Sequence, residues 1–334
     1  MNIAESGGCP ICLQSCGFIE RCISPFNGKT FGRYGCQPCS FEFWEPRGFQ
    51  DSSYSGEEFP AYAVMHHGEY RLPPWSARFA LSAGTAGGRL LDVGCGDGSF
   101  LEHAASLGFD VTGIDIDAKS VAIAKSKRGI ANAHAVGLVE AIESGILKPG
   151  SFDVVTIFEV LEHQPDPAAF LLQIRKLLRP GGRIFGSVPN RHALFQNTRF
   201  SQRFYSEEIF PPHHFLWFDR KSISELLSRT NWTGIKVEYS HYLDANGLAS
   251  AAQALIFGQF IEKFKNRIKR RAYHVPDQNA GQDRSSQFQA IRIAKWMFNS
   301  FFYLPGIICS PWFNRVGQGV FFEAHANGAA QSPS

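Results

Sequence analysis

Two stretches of this chain combine residue types and spacings that can do chemistry. In the first, Asp92-Val93-Gly94-Cys95-Gly96-Asp97 follows the apolar pair Leu90-Leu91 and precedes Ser99-Phe100-Leu101. Glycines at 94 and 96 allow a tight turn, and they let a ligand approach main-chain N–H groups that a Cβ would obstruct. A dinucleotide fingerprint would need a further glycine at position 99, where Ser99 stands, and would set a pyrophosphate beside Asp97. A ligand bearing positive charge suits Asp92 and Asp97 better. About twenty residues on, Val111-Thr112-Gly113-Ile114-Asp115-Ile116-Asp117 ends in acids at the spacing of a ribose-binding carboxylate. Asp115 is expected to accept hydrogen bonds from both ribose hydroxyls, and Asp117 to N-cap the helix that follows. The plainer alternative makes both of them turn acids.

The second stretch carries Cys9-Pro10-Ile11-Cys12 and Cys36-Gln37-Pro38-Cys39, two Cys-x-x-Cys knuckles separated by enough chain for a hairpin. Four thiolates complete a tetrahedron around a structural Zn²⁺ and leave no open position for catalysis. A segment this short has little core of its own, so a metal supplies what burial cannot. Cys16 and Cys22 lack a paired knuckle and are read as free or alternate thiols. Packing or redox cysteines are the other reading of the set.

Elements must position these residues, and their order is legible. Apolar strands alternate with amphipathic helices in βα order, which argues a doubly wound sheet with ligands at the C-terminal ends of its strands. Ala133-His134-Ala135-Val136 is a short strand, and Leu138 after it is expected to flank an adenine ring, although no acid directly follows that strand. Phe152 to Glu159 is a central strand running into Val160-Leu161-Glu162-His163. Asp166-Pro167 starts a helix by N-cap and first-turn proline. Arg179-Pro180-Gly181-Gly182 is a tight turn into the strand Arg183 to Val188. A cofactor with an ammonium and a sulfonium, S-adenosylmethionine, fits the two acids of the glycine turn. Its expected contacts are Asp92, Gly94, Gly96, Asp97, Asp115, Ile116, Leu138 and Phe158.

The stretches LLDVGCGDGSFL, GIDID, FDVVTIFEVLEHQPDP and LLRPGGRIFGSVPN resemble class I S-adenosylmethionine-dependent methyltransferases over roughly residues 75 to 242. The resemblance implies an α/β, doubly wound, seven-stranded Rossmann-like sheet, to which the residues add a small N-terminal zinc ribbon and, unusually for the fold, a helical insertion before the last strand. The expected organisation is a ribbon over 1–45, an aromatic and proline-rich connector over 46–74 that lids cofactor or substrate, and a methyltransferase domain over 75–325. Residues 326–334 form a disordered tail. Within the superfamily, EVLEHQPDP is similar to ubiquinone-biosynthesis O-methyltransferases, where the EVxEH acids and histidine can hold a divalent ion against a catechol. That carries over to Glu159, Glu162 and His163; the same motif also occurs where the acids only shape the loop. The ribbon and Pro211-Pro212-His213-His214 look more like methyltransferases of sugar and surface-polysaccharide modification.

His163, His213 and His214, with Glu159, are the candidate catalytic residues, and His192 lies in the same acceptor-side segments. An imidazole there serves as general base because its ordinary pKa lies near neutrality. The other reading of Pro211-Pro212-His213-His214 is a rigid turn whose histidines cap or bond backbone. The acceptor expected first is a sugar or lipid-linked glycan. A prenylated quinone or phenol comes second and an RNA base third. A protein that keeps the fold only as a cofactor-binding scaffold is the non-enzymatic alternative.

Composition narrows the partners. Across 334 residues, 33 Lys+Arg against 30 Asp+Glu leave a net charge of +3, too slight to argue for nucleic acid. Met1 to Gly8 has no basic region followed by an apolar run, so a cytoplasmic location is expected. The insertion from about 245 to 312 joins a basic cluster, Lys263 to Arg271, to an aromatic run around Trp296-Met297-Phe298. Peripheral contact with the inner face of a membrane is one reading of it, and an added packing layer or homodimer contact is the other.

Overall fold

The computed structural model describes residues 6–24, 27–48, 65–68, 72, 74–84, 87–192, 210–240 and 319–327. The chain divides into two compact units, one of residues 1–191, 207–240 and 319–334, the other of 192–206 and 241–318. Of the second unit only His192 is described, so the insertion over 245–312 lies outside the described residues, as does most of the 326–334 tail. Among the described residues no helix is long and apolar enough to cross a membrane.

The first strands are short and alternate: β1 (Ser6–Gly8), β2 (Ser15–Ile23), β3 (Thr30–Cys36) and β4 (Phe41–Glu45). They form an antiparallel meander, with Gly17↔Gly35 between β2 and β3 and Gly35↔Glu42 between β3 and β4. The sheet buries Phe31 and Trp44 on one face and Tyr34, Phe41 and Phe43 on the other.

Then follow helix α1 (Pro74–Ala83), β5 (Gly88–Val93), α2 (Ser99–Ser106), β6 (Phe109–Asp115), α3 (Ala118–Arg128), β7 (Ala133–Ala135), α4 (Leu138–Glu143) and β8 (Phe152–Phe158). A 3-10 turn at Leu161–His163 leads to α5 (Pro167–Leu177) and β9 (Leu178–Pro189). The fold closes with β10 (Leu216–Trp217), α6 (Arg220–Arg229), β11 (Trp232–Ser240) and β12 (Gly319–Ala326). The large sheet has seven strands in the order β11-β12-β9-β8-β5-β6-β7. From β9 to β7 neighbours are parallel, while β12 runs antiparallel to both β9 and β11. Strand order reverses at β5, whose neighbours β6 and β8 connect outward in opposite directions. Such a switch point opens a crevice at the strands' C-terminal ends.

Local signals set the helix ends. Asp117 caps α3 by accepting from Lys119 N at 3.1 Å, and Gly129 closes it with a left-handed φ of 69°. Asp166 caps α5 through Ala169 N at 2.9 Å, with Pro167 in the first turn. The turn expected at Arg179–Gly182 is absorbed into β9 as an irregularity, because pairing jumps from Phe152↔Leu178 to Val154↔Arg183.

Two findings correct the sequence reading. The ribbon sheet has a fifth strand, since β10 pairs with β4 through Leu216↔Phe43 and Trp217↔Glu42. Phe158, expected to touch the cofactor, has its ring in the core instead. It stacks on Trp75 at 3.8 Å and 14°, with Phe100 edge-on at 4.9 Å. Phe79 continues the cluster edge-on to Phe185 at 5.0 Å, and such pairs add about 0.5–1.5 kcal/mol each beyond their buried area.

Where β9 meets β12, Gly186 faces Phe322 in register, and a Cβ on Gly186 would collide with the fully buried Phe322 ring. Gly186→Ala is expected to destabilise the fold by about 1–3 kcal/mol, as overpacking does in a filled core. Urea unfolding measures it, and an unchanged midpoint would mean that the two strands part freely.

Candidate active site and cysteine centre

The cofactor turn begins where β5 ends. Gly94 N and Cys95 N both donate to Ile114 O, at 2.8 and 3.1 Å, which folds the turn back onto β6. Gly94 has a φ of 81°, and a Cβ there would strike Val160 Cγ2, so backbone conformation and neighbouring side chain both demand glycine. Gly96, with φ 51°, donates its N–H to Asp115 Oδ2 at 2.8 Å. The other carboxylate oxygen of Asp115 accepts from Asp117 N at 2.8 Å. Asp115 thus brackets the two turns, and burial raises its pKa. Beside it Ile116 is 54% exposed, an apolar surface at the strand's end. Leu138, at the start of α4, is buried in the core with Val136 and Ala141.

The two acids of the glycine turn part company. Asp92 is buried, its Oδ1 accepting from Thr156 Oγ1 at 2.6 Å, and burial pushes its pKa up to about 7. No basic side chain is paired with it among the described residues. Asp97, expected to face the cofactor, is turned elsewhere: Oδ2 takes Arg128 NH2 at 2.8 Å and Oδ1 takes Ser99 N at 3.1 Å. Its charge is spent on holding α3 to the start of α2, and Arg128 reinforces this by donating Nε to Asp97 O at 3.0 Å.

Of the connector, the described residues 65–68 pack over this turn. A Cβ on Gly96 would lie 3.3 Å from Met65 Sδ, and His66 Nε2 meets Asp117 Oδ2 at 2.7 Å. Lys127 Nζ donates to His67 O at 2.7 Å. Sequence reasoning missed Met65, His66 and Arg128, because nothing local marks a partner 31 or 51 residues away.

On the other side of the crevice, β8 ends at a residue with unusual backbone. Glu159 has φ 55°, a left-handed conformation that a non-glycine residue holds only when its surroundings enforce it. Its N–H donates to Ser187 O at 3.0 Å, and its Oε1 accepts from Ser187 Oγ at 2.5 Å. Burial pushes its pKa up to about 7.

Glu162 is almost fully buried, and among the described residues no group donates a hydrogen bond to either of its carboxylate oxygens. His163 Nδ1 lies 2.7 Å from His213 O, so the proton sits on Nδ1 and the Nε2 lone pair is left 3.9 Å from Glu162 Oε1. His214 Nε2 stands 4.0 Å from the same oxygen, its ring edge-on to that of His163 at 4.6 Å. Glu162, His163 and His214 each present a ligand atom within 4.8 Å of the others'. Glu159 is not part of that convergence.

The expected unperturbed imidazoles are also corrected. Burial lowers His163 and His213 to about 4 and His214 well below the ordinary range, while burial and then the Glu159 charge hold Glu162 well above the usual carboxyl range. Burial thus favours the uncharged form of every member of the cluster. His192 is exposed at the end of its segment.

In the ribbon, Cys9, Cys12, Cys36 and Cys39 bring their sulfurs within 4.8 Å of one another. The two knuckles share a backbone pattern: the residue after each second cysteine, Leu13 and Ser40, has left-handed φ of 64° and 53°. Ile11 N points at Cys9 Sγ at 3.4 Å. Burial raises Cys9 to about 11 and pushes Cys39 upward. Burial opposes ionisation of Cys12 too, but hydrogen bonds from the Gln14 backbone and the neighbouring thiols bring it down. Four converging sulfurs in a buried pocket fit a tetrahedral Zn²⁺. Cys16 is buried beside them, with Sγ toward Gln14 O at 3.6 Å, and Cys22 lies farther along β2.

Comparison with known proteins agrees with this geometry. A family model described as a methyltransferase domain matches residues 64–237. A ubiquinone biosynthesis O-methyltransferase of Xanthomonas euvesicatoria pv. vesicatoria is 44% identical over 139 residues, covering 41% of this chain and 54% of the relative. One from Aromatoleum aromaticum is 41% identical over 116 residues, covering 33% and 48%. The chain spans about half the length of the curated relatives it matches. Among solved structures, a complex of the Haloferax volcanii Trm112 methyltransferase activator and a putative methyltransferase aligns with a TM-score of 0.52 at 14% identity, covering 83% of this chain and 99% of that one. That likeness is one of fold alone. With a matched domain over more than half its length and the strand order and cofactor turn described above, this chain belongs to the methyltransferase-domain family, in its class I S-adenosylmethionine-dependent form.

Proposed function

We propose that the chain transfers a methyl group from S-adenosylmethionine to an acceptor hydroxyl held beside Glu159, Glu162, His163 and His214. The observation that carries this reading is the pairing of two features across one crevice. A glycine turn with a buried, unneutralised Asp92 and the bracketed Asp115 stands on one side, and an orphaned carboxylate among neutral histidines on the other. S-adenosylmethionine supplies an electrophilic methyl on a sulfonium, so the protein's work is alignment, water exclusion and handling of the acceptor proton. Asp92 offers charge to the cationic cofactor, Asp115 fixes the turn and faces the ribose, and Gly94, Gly96, Ile116 and Leu138 shape the cradle. Asp97 acts through Arg128.

On the acceptor side, Glu159 has the pKa that suits a general base near neutral pH, whereas the buried histidines are weaker bases and better hydrogen-bond acceptors or ligands. The names of the relatives favour a prenylated phenol or quinone acceptor. The ribbon and the Pro211-Pro212-His213-His214 arrangement keep a sugar or lipid-linked glycan as the second. Incubation with radiolabelled S-adenosylmethionine and each acceptor class tests the proposal, with label expected in a hydroxyl-bearing acceptor. Cofactor binding without transfer to any acceptor would reduce the chain to a binding scaffold.

A divalent ion is a second reading of the acceptor side, favoured by the convergence of Glu162, His163 and His214. Neutral imidazoles and a carboxylate form a mixed N/O set, and the His163 Nδ1 contact with a backbone carbonyl is the kind of outer partner that orients a ligating histidine. Elemental analysis is expected to find about one zinc per chain, lost in Cys36→Ser. Titration with Co²⁺ is expected to fill a further site in zinc-loaded wild type, but not in zinc-loaded Glu162→Gln. Absence of that further equivalent rejects the metal reading, and absence of zinc rejects the ribbon centre.

Asp92 gives a pH prediction. Its carboxyl stays protonated below about 7 in the free protein, and a cationic ligand prefers the ionised form. Cofactor affinity is therefore expected to fall as pH drops from 7.5 to 5.5, by up to about tenfold per unit. Asp92→Asn should bind more weakly at pH 7.5 and lose most of that dependence. Calorimetry checks both, and a wild-type profile as flat as the variant's would take Asp92 out of the cofactor site.

A further inference from the structure

The histidine pair is held by the ribbon. Phe215, the residue after His214, is suspended between two backbones: its N–H donates to Glu162 O at 3.1 Å, and its C=O accepts from Trp44 N of β4 at 2.9 Å. The next two residues are β10, a strand too short to fix its own position, and they lie along β4. Aromatic contacts seal the join, with Phe41 against Phe218 at 5.0 Å and Trp44 edge-on to Trp217 at 5.8 Å.

At the far end of this segment one side chain gathers the pieces. Arg191 donates NH1 to Glu42 Oε1 at 2.6 Å, NH2 to Ser40 Oγ at 2.9 Å and Nε to Asp219 Oδ2 at 3.1 Å. Its own N–H donates to Phe218 O at 2.7 Å. Ser40 Oγ in turn donates to Asp219 Oδ2 at 2.5 Å. The Arg191 and Asp219 side chains are only 14% and 7% exposed, so these bonds act with little solvent screening.

Ser40 is the link to the cysteines. It directly follows Cys39, its N–H closes the knuckle on Gln37 O at 3.1 Å, and its left-handed backbone is part of the knuckle turn. The direction of its hydroxyl is therefore set by the knuckle geometry, which in a ribbon of this size depends on metal binding.

We propose that Arg191 is a positioning residue that, with Ser40, transmits the geometry of the four-cysteine knuckle to the segment 213–219 and so holds His213 and His214 against Glu162 and His163. The ribbon is then a metal-dependent wall of the acceptor site. This inference uses the proposed function only in calling that side the acceptor side. Its test reads the histidines themselves, so it stands or falls separately from any activity.

The experiment is NMR of histidine-labelled full-length protein, with His163, His213 and His214 assigned by single substitutions. Three perturbations are compared: zinc removal by a mercurial with a chelator, Ser40→Ala, and Arg191→Met. All three perturbations are expected to shift the signals of His213 and His214. The two variants should keep one zinc per chain and an S-adenosylmethionine Kd within twofold of wild type. Unchanged histidine signals in both Ser40→Ala and Arg191→Met, with zinc retained, overturn the proposal. Unchanged signals in folded, zinc-free protein also overturn it. Should zinc removal unfold the chain, the two metal-retaining variants decide the question.

Discussion

The contact between Gly94 and Val160 ties the two halves of the site together. Val160 Cγ2 fills the space that a Cβ at position 94 would need, so the cofactor turn after β5 and the segment after β8 are packed in direct contact. On one side of that contact, Asp115 fixes Gly96 and Asp117 through its two carboxylate oxygens. On the other, the left-handed Glu159 is tied by backbone and side chain to Ser187. Neighbouring parallel strands at the switch point of the sheet thus deliver two turns whose relative placement is set by packing. Methyl transfer needs that rigidity, because the cofactor supplies the reactivity and the protein supplies alignment.

Features carried by adjacent residues were legible in the sequence. Gly94 and Gly96, the Asp117 and Asp166 caps, the βα alternation and the two cysteine knuckles depend on neighbours a few positions away, and each stands where its local pattern implies. The seven-stranded order followed from the family resemblance. What failed to show was set at long range. Arg128 claims Asp97 from 31 residues away, and the Glu162–His214 approach spans 52 positions. Phe158 reads as a strand-end residue facing a ligand, yet Trp75 and Phe100 take its ring into the core. Two residues of β10 carry no periodicity by which a strand could be recognised, and their partner lies in the ribbon.

Burial explains why histidine chemistry was the least legible part. Residue type alone assigns imidazole a pKa near neutrality, but the cost of charging a buried ring lowers it, just as burial raises Glu159 and Glu162. Burial thus shifts each of these acids and imidazoles toward its uncharged form. Glu162 bears that cost most directly, because a buried carboxyl with no hydrogen-bond donor among the described residues keeps its full desolvation penalty.

The ribbon answers a different physical problem. A helix or strand inside the main sheet is held by two apolar faces, but the segment from Phe210 to Phe218 leaves the sheet after an interruption outside the described residues and returns only at the Asn190↔Phe218 bridge. Something must hold it from outside, and aromatic side chains of the ribbon, Phe31, Phe41 and Trp44, do so. That support is only as firm as the ribbon, whose turns rely on the four sulfurs. Metal binding at the knuckles thus does work beyond keeping a small module folded, since the strand it stabilises borders the carboxyl and imidazole groups on which the acceptor side is built.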